Sequence, residues 1–165
     1  MNELTLTADT SVALPAMSPY LKSCLRSSYT PTSDGSYMLV HANKPGRNEI
    51  AEAKRLLPEY EAALKPAPRS LIRAWMLHIA AAVRNPPTAE QVELHIDLVQ
   101  LACANFPAAA WNKETLVDAL RDERCRFWPA VADVYAIVLA TADPLIGKLY
   151  GLRRVAALPM PEKRN

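Results

Sequence analysis

Glycine is scarce in this chain: four residues (Gly35, Gly46, Gly147 and Gly151) stand against fourteen prolines in 165. Left-handed turns therefore have few places to form, which argues against hairpin-rich sheet folds. Neither GxGxxG nor GxxxxGK[ST] occurs, so nucleotide binding through a phosphate-cradling glycine loop is excluded. Cysteine is also sparse. Cys24, Cys103 and Cys125 are odd in number and widely spaced, which gives neither a disulfide framework nor a CxxC metal knuckle. Free thiols fit a reducing compartment, so a cytoplasmic location is expected. The three histidines (His41, His78 and His95) have no His or carboxylate at i+4, so no metal ligand pair is expected. No serine lies in GxSxG and no cysteine has a histidine close in sequence. No apolar run approaches the ~18 residues of a membrane span. The start, Met1-Asn2-Glu3, lacks the basic n-region and apolar run of a signal peptide.

What the chain does have is alanine, 27 residues of it, within a composition that is 50% hydrophobic and 22% charged. Alanine buries little surface but is the best helix former, so the expected fold is mostly α. The reading is a compact bundle of five to six helices over residues 48–158, with an extended, irregular N-terminal arm (1–47) and a basic tail (159–165). Residues 1–47 are rich in Ser, Thr, Tyr and Pro and show no sustained helical period; one short strand is expected at Ser36–His41. That arm is either flexible or docked on a partner through Tyr20, Leu21, Tyr29, Tyr37 and Met38.

From Asn48 the pattern turns helical. Asn48 is expected to cap a helix to about Leu64, kinked or split at Pro58. Residues 69–84 place Ile72, Trp75, Met76, Ile79 and Val83 on one apolar stripe. Thr88 and Gln91 form a capping-box pair opening a helix to about Asn105. Val92, Ile96, Val99 and Cys103 line one face of that helix. Leu94, Leu98 and Leu101 are expected to widen it into a largely buried surface. Asn112 caps a further helix with Leu116, Val117 and Leu120 apolar. Pro129 and Pro144 each fit the first turn of a later helix, the second one capped by Asp143 and running to about Ala157.

No catalytic set emerges. The pairs Glu59 with Glu61 and Asp118 with Asp122 have spacings common on solvated helix faces. The chain is therefore expected to be non-enzymatic, without cofactor or metal, and to work through its surfaces. Arg121, Arg124 and Arg126, with Asp122 and Glu123 between them, suit helix-surface ion pairs or a polar recognition edge beside Phe127 and Trp128. Trp75 belongs to the core and Trp111 to a helix start, whereas Trp128 is either packing or an interface anchor. Candidate partner contacts are thus Tyr20, Tyr29, Tyr37, Arg121, Arg124, Arg126 and Trp128. The charge distribution adds a second candidate surface. Residues 144–165 hold Lys148, Arg153, Arg154, Lys163 and Arg164 against Glu162 alone, a set able to contact nucleic-acid phosphates. No helix-turn-helix accompanies them. The oligomeric state is left open.

The stretch from Phe106-Pro107-Ala108 through Ala119-Leu120-Arg121 to Phe127-Trp128-Pro129-Ala130-Val131-Ala132-Asp133 resembles small phage and prophage helical proteins of the replicative-helicase loader or inhibitor type. Those proteins carry a "YPA…ALR…FWPALAEL" pattern. The likeness covers roughly residues 66–142; the spacer 109–113 departs from it and residues 1–47 have no counterpart. It implies a phage or prophage adaptor that binds a protein complex, such as a replicative helicase or its regulator, and carries over no functional residue. Two other roles suit a small non-catalytic helical chain: inhibitor of a host defence or nuclease complex, and structural component of a phage-like particle.

Overall fold

The computed structural model of the chain describes residues 14–25, 27–31, 37–41 and 44–161. It is mostly α, with helices α1 (Pro19–Leu25), α2 (Arg47–Ala63), α3 (Arg69–Ala82), α4 (Ala89–Ala102), α5 (Lys113–Arg121) and α6 (Val131–Ala156). Strands β1 (Ser27–Pro31) and β2 (Tyr37–His41) pair antiparallel, Ser27 opposite His41 and Pro31 opposite Tyr37. The fold divides into two compact units. One spans Leu64–Ile146; the other joins Leu14–Ala63 to the segment from Gly147 onward. No helix among the described residues is long and apolar enough to cross a membrane.

In the first unit, α3 buries Ile72, Trp75, Met76 and Ile79, as its stripe predicts, against Val92, Ile96 and Val99 of α4 and Val134 and Val138 of α6. Thr88 closes both halves of the capping box: its hydroxyl accepts from Gln91 N at 3.3 Å, and its own N–H donates to Gln91 Oε1 at 2.9 Å. Asn112 caps α5, accepting from Thr115 N at 2.9 Å. The loop before α3 is tied to the one after α4 by Ala67 N–H to Phe106 O (3.0 Å) and Ala108 N–H to Lys65 O (2.9 Å). Trp75 and Trp111, both fully buried, meet edge to face with centroids 5.3 Å apart at 87°. The buried Thr115 hydroxyl is satisfied by that of Thr141 at 3.0 Å.

The second unit takes in the described part of the N-terminal arm. Its described residues before α2 form α1 and the paired strands β1 and β2, and bury Met17, Leu21 and Cys24. Ser18 caps α1, with Pro19 at the first helical position, where a missing N–H costs nothing. Ser18 also locks α1 to α2: its N–H and hydroxyl donate to the two oxygens of Glu52 at 2.8 and 2.7 Å. Tyr60, at the far end of α2, donates its hydroxyl to Pro15 O at 2.9 Å.

Pro58 does not split its helix, and Pro144 does not open a new one. α2 runs through Pro58, and α6 is one 26-residue helix through Pro144, so Asp143 is not a cap. Proline removes the bond to the carbonyl four residues back, which here belongs to Lys54 or Ala140. Those residues and both prolines are exposed, so water can take the orphaned carbonyls. α2 also starts one residue before the expected cap Asn48; the Glu49 carboxylate accepts from Gly46 N instead, at 2.9 Å.

Candidate protein-docking face

Helix α4 is apolar on two sides. At about 100° per residue, Val92, Ile96, Val99 and Cys103 cluster in one direction and Leu94, Leu98 and Leu101 in nearly the opposite one. The first set is buried. The second, expected to widen the buried stripe, is 64%, 46% and 76% exposed. A helix can bury one stripe against its own core; the other then has to remain in water or meet another molecule.

On the flank of α4 that faces α3, the carboxylates Glu93 and Asp97 are already engaged. Arg69 of α3 donates to Asp97 Oδ1 (2.8 Å) and Glu93 Oε2 (3.0 Å), and Arg73 donates to Glu93 Oε1 (2.6 Å). The Arg73 and Arg69 guanidiniums hold the Glu93 carboxyl below its usual range. These pairs clamp α4 onto α3, and Glu90 and Asp97, one turn before Leu94 and Leu101, set carboxylates at the edge of the leucine face.

Leu94 and Leu98 line a shallow cleft of about 480 Å³ with Pro86, Pro87, His95 and Trp128. Leu101 borders a second, of about 450 Å³, with Pro66, Ala67 and Gln100. Trp128 is half-buried and packs on His95, ring centroids 5.0 Å apart. The neighbouring Phe127 is 55% exposed. His95 Nε2 is enclosed yet meets no hydrogen-bonding partner among the described residues. Burial pushes the imidazole below its usual value of 6.5.

That shift has a testable consequence. The folded chain holds His95 neutral to lower pH than the unfolded chain, which takes up a proton below about 6.5, so stability falls as the pH drops through that value. Lowering the solution from about pH 7.5 to about pH 5.5 should reduce the urea midpoint, and His95→Gln should flatten the dependence. Equal acid sensitivity in both proteins would assign the effect to other groups.

The other sequence-derived candidates scatter. Arg121, Arg124 and Arg126 are exposed, but they do not share a helix face. α5 ends at Arg121, and Asp122 caps a 3-10 turn over Glu123–Cys125. The expected i, i+3 and i+4 pairs are replaced by a forked contact within that turn, Arg124 Nε and Nη2 to the Asp122 carboxylate at 2.9 and 2.7 Å. It draws the Asp122 carboxyl down to about 2. Tyr20 is 75% exposed on α1. Tyr29 and Tyr37 lie on the paired strands, and their side chains fall outside the described residues, as do Lys163 and Arg164. In the second unit, Lys148 and Arg154 line one cleft, while Arg153 turns aside to Glu61, Nε to Oε1 at 2.9 Å. Among the described residues no cluster of His, Cys, Asp and Glu is placed to hold a metal. Cys103 and Cys125 are buried thiols pushed up to about 11 by burial, which suits packing rather than nucleophilic attack.

Of the face's residues, Trp128 alone stands among the partner contacts expected from sequence, and the three leucines are expected there as core. A helical wheel of α4 carries the missing signal, because its two apolar stripes lie on opposite sides. No family model matches the chain, and neither a curated protein nor a solved structure matches it.

Proposed function

We propose that this protein is a non-catalytic adaptor that docks an amphipathic helix of a partner protein along the outer face of α4. The observation that carries the reading is the exposed stripe Leu94–Leu98–Leu101. Apolar anchors at i, i+4 and i+7 match the spacing of an incoming helix. The shallow clefts on the two sides offer seats for its side chains, with Trp128 as the aromatic anchor. The resemblance of residues 66–142 to phage helicase loaders and inhibitors supports the same reading. It covers the stretch that includes α4 and Trp128, and it makes a replicative helicase or its regulator the partner to test first.

The test is Leu94→Lys combined with Leu101→Lys. Each lysine would follow a carboxylate by four residues (Glu90 and Asp97), a spacing that favours the helix. Stability should stay within about 0.5 kcal/mol of wild type, as for other surface changes. A partner captured by the full chain from its producing host and identified by mass spectrometry should bind the variant about ten-fold or more weakly. A partner held equally well by a folded variant would remove the α4 face from the proposal. Recovery of a nuclease complex in place of a helicase would favour the inhibitor role.

A further inference from the structure

The second unit contains a cleft of about 770 Å³, within the size range of small-molecule sites. Its cationic lining residues come from both ends of that unit's sequence: Lys22 from α1, Lys148 and Arg154 from α6. Among the described residues no carboxylate lines it. The unit's acidic side chains among the described residues are engaged elsewhere: Glu52 with Ser18, Glu61 with Arg153, Glu59 with Arg55 at 3.9 Å, and Glu49 with the Gly46 N–H. Lys22 and Lys148 make no ion pair among the described residues. The Arg154 guanidinium is held as a fixed positive wall, with Nη2 donating to Leu25 O at 2.8 Å. The remaining surface is apolar and aromatic: Met17, Leu25 and the rings of Tyr60 and Tyr150. The Tyr60 hydroxyl is already committed to Pro15, so its ring is what the cleft has to offer.

Two glycines one turn apart, Gly147 and Gly151, also line the cleft, and they do different things. A Cβ at Gly151 would come within 3.0 Å of Leu25 Cβ and 3.3 Å of Leu25 O; that glycine lets α1 approach α6. A Cβ at Gly147 would meet nothing within 4 Å. Glycine inside a helix costs about 1 kcal/mol relative to alanine, and packing does not require it here. What it does is leave space open in the cleft.

The ammonium groups of Lys22 and Lys148, without an ion pair among the described residues and beside an apolar wall, favour an anion with an apolar body. We infer that this cleft binds a small organic anion, an acyl or aryl group bearing a phosphate or carboxylate, with Lys22 and Lys148 meeting the charge.

The test is calorimetric titration of the full chain with octyl phosphate, octanoate, octanol, inorganic phosphate and a short single-stranded DNA. Saturable binding of octyl phosphate or octanoate is expected, with octanol and inorganic phosphate each at least about ten-fold weaker. The comparison of the two anions identifies the head group. Gly147→Leu should fill the cleft and abolish binding while the helix gains propensity. Lys22→Gln with Lys148→Gln should weaken binding about ten-fold or more. Leu94→Lys with Leu101→Lys, in the other unit, should leave it unchanged. If Gly147→Leu lowers the melting temperature, the lysine pair decides. The proposal is overturned if neither octyl anion binds, if octanol binds as tightly, if a folded variant keeps full affinity, or if the DNA binds in their place.

Discussion

Replacing Trp75 with alanine is expected to remove about 3–5 kcal/mol of unfolding free energy, the usual cost of emptying a buried tryptophan site. Trp75 is fully buried at the centre of the α3 stripe, and its ring packs edge to face against Trp111, which is equally buried. Truncation removes the transfer free energy of the indole and leaves a void that the rigid α3–α4 pair cannot close. Against a total of about 5–15 kcal/mol, such a loss unfolds a large share of the chains under mild denaturant. Neither indole N–H has an acceptor among the described residues, so no hydrogen bond offsets or adds to the cost. Trp75→Phe should therefore be much milder than Trp75→Ala. A double-mutant cycle between Trp75 and Trp111 should show coupling of about 0.5–1.5 kcal/mol, the range for aromatic pairs. Urea unfolding followed by circular dichroism measures all three. A loss below about 1 kcal/mol for Trp75→Ala would mean the site collapses freely, contrary to this packing.

Leu21→Ala should cost about 2–5 kcal/mol, and Tyr20→Ala, one residue away, less than about 0.5 kcal/mol. Leu21 is completely buried in the second unit, while Tyr20 is 75% exposed. The contrast separates two descriptions of residues 14–46. An arm loosely attached to a helical body gives no penalty at either position. A segment that completes a core gives a large one at Leu21 alone. Matching midpoints for the two variants would restore the arm.

Sequence served well where the determinants are local. The α3 stripe and the Thr88–Gln91 capping box are visible within a few residues, and both form as expected. It served poorly where the deciding partner is remote. α1 has only seven residues, too few to show a period, and the Glu52 carboxylate that anchors it comes 34 residues later. The basic C-terminal set looked like one surface. It divides because Glu61, 92 residues before Arg153, takes that side chain, while Lys22 joins Lys148 and Arg154 from the opposite end of the sequence. The docking face shows a different limit. Hydrophobicity marks which residues prefer to leave water, but it does not say which of two apolar stripes the protein's own core will cover. Leu94, Leu98 and Leu101 were read as core for that reason.

The three buried cysteines also have a use beyond filling space. A thiol attacks alkylating reagents as the thiolate, and burial raises the thiol of Cys24, Cys103 and Cys125 alike. Each can therefore be modified appreciably only when its surroundings open. Cys24 belongs to the second unit, Cys103 and Cys125 to the first. The chain thus carries built-in clocks for local opening, one in the second unit and two in the first. Their labelling rates, read by mass, convert into opening free energies for each part of the fold without any engineered probe.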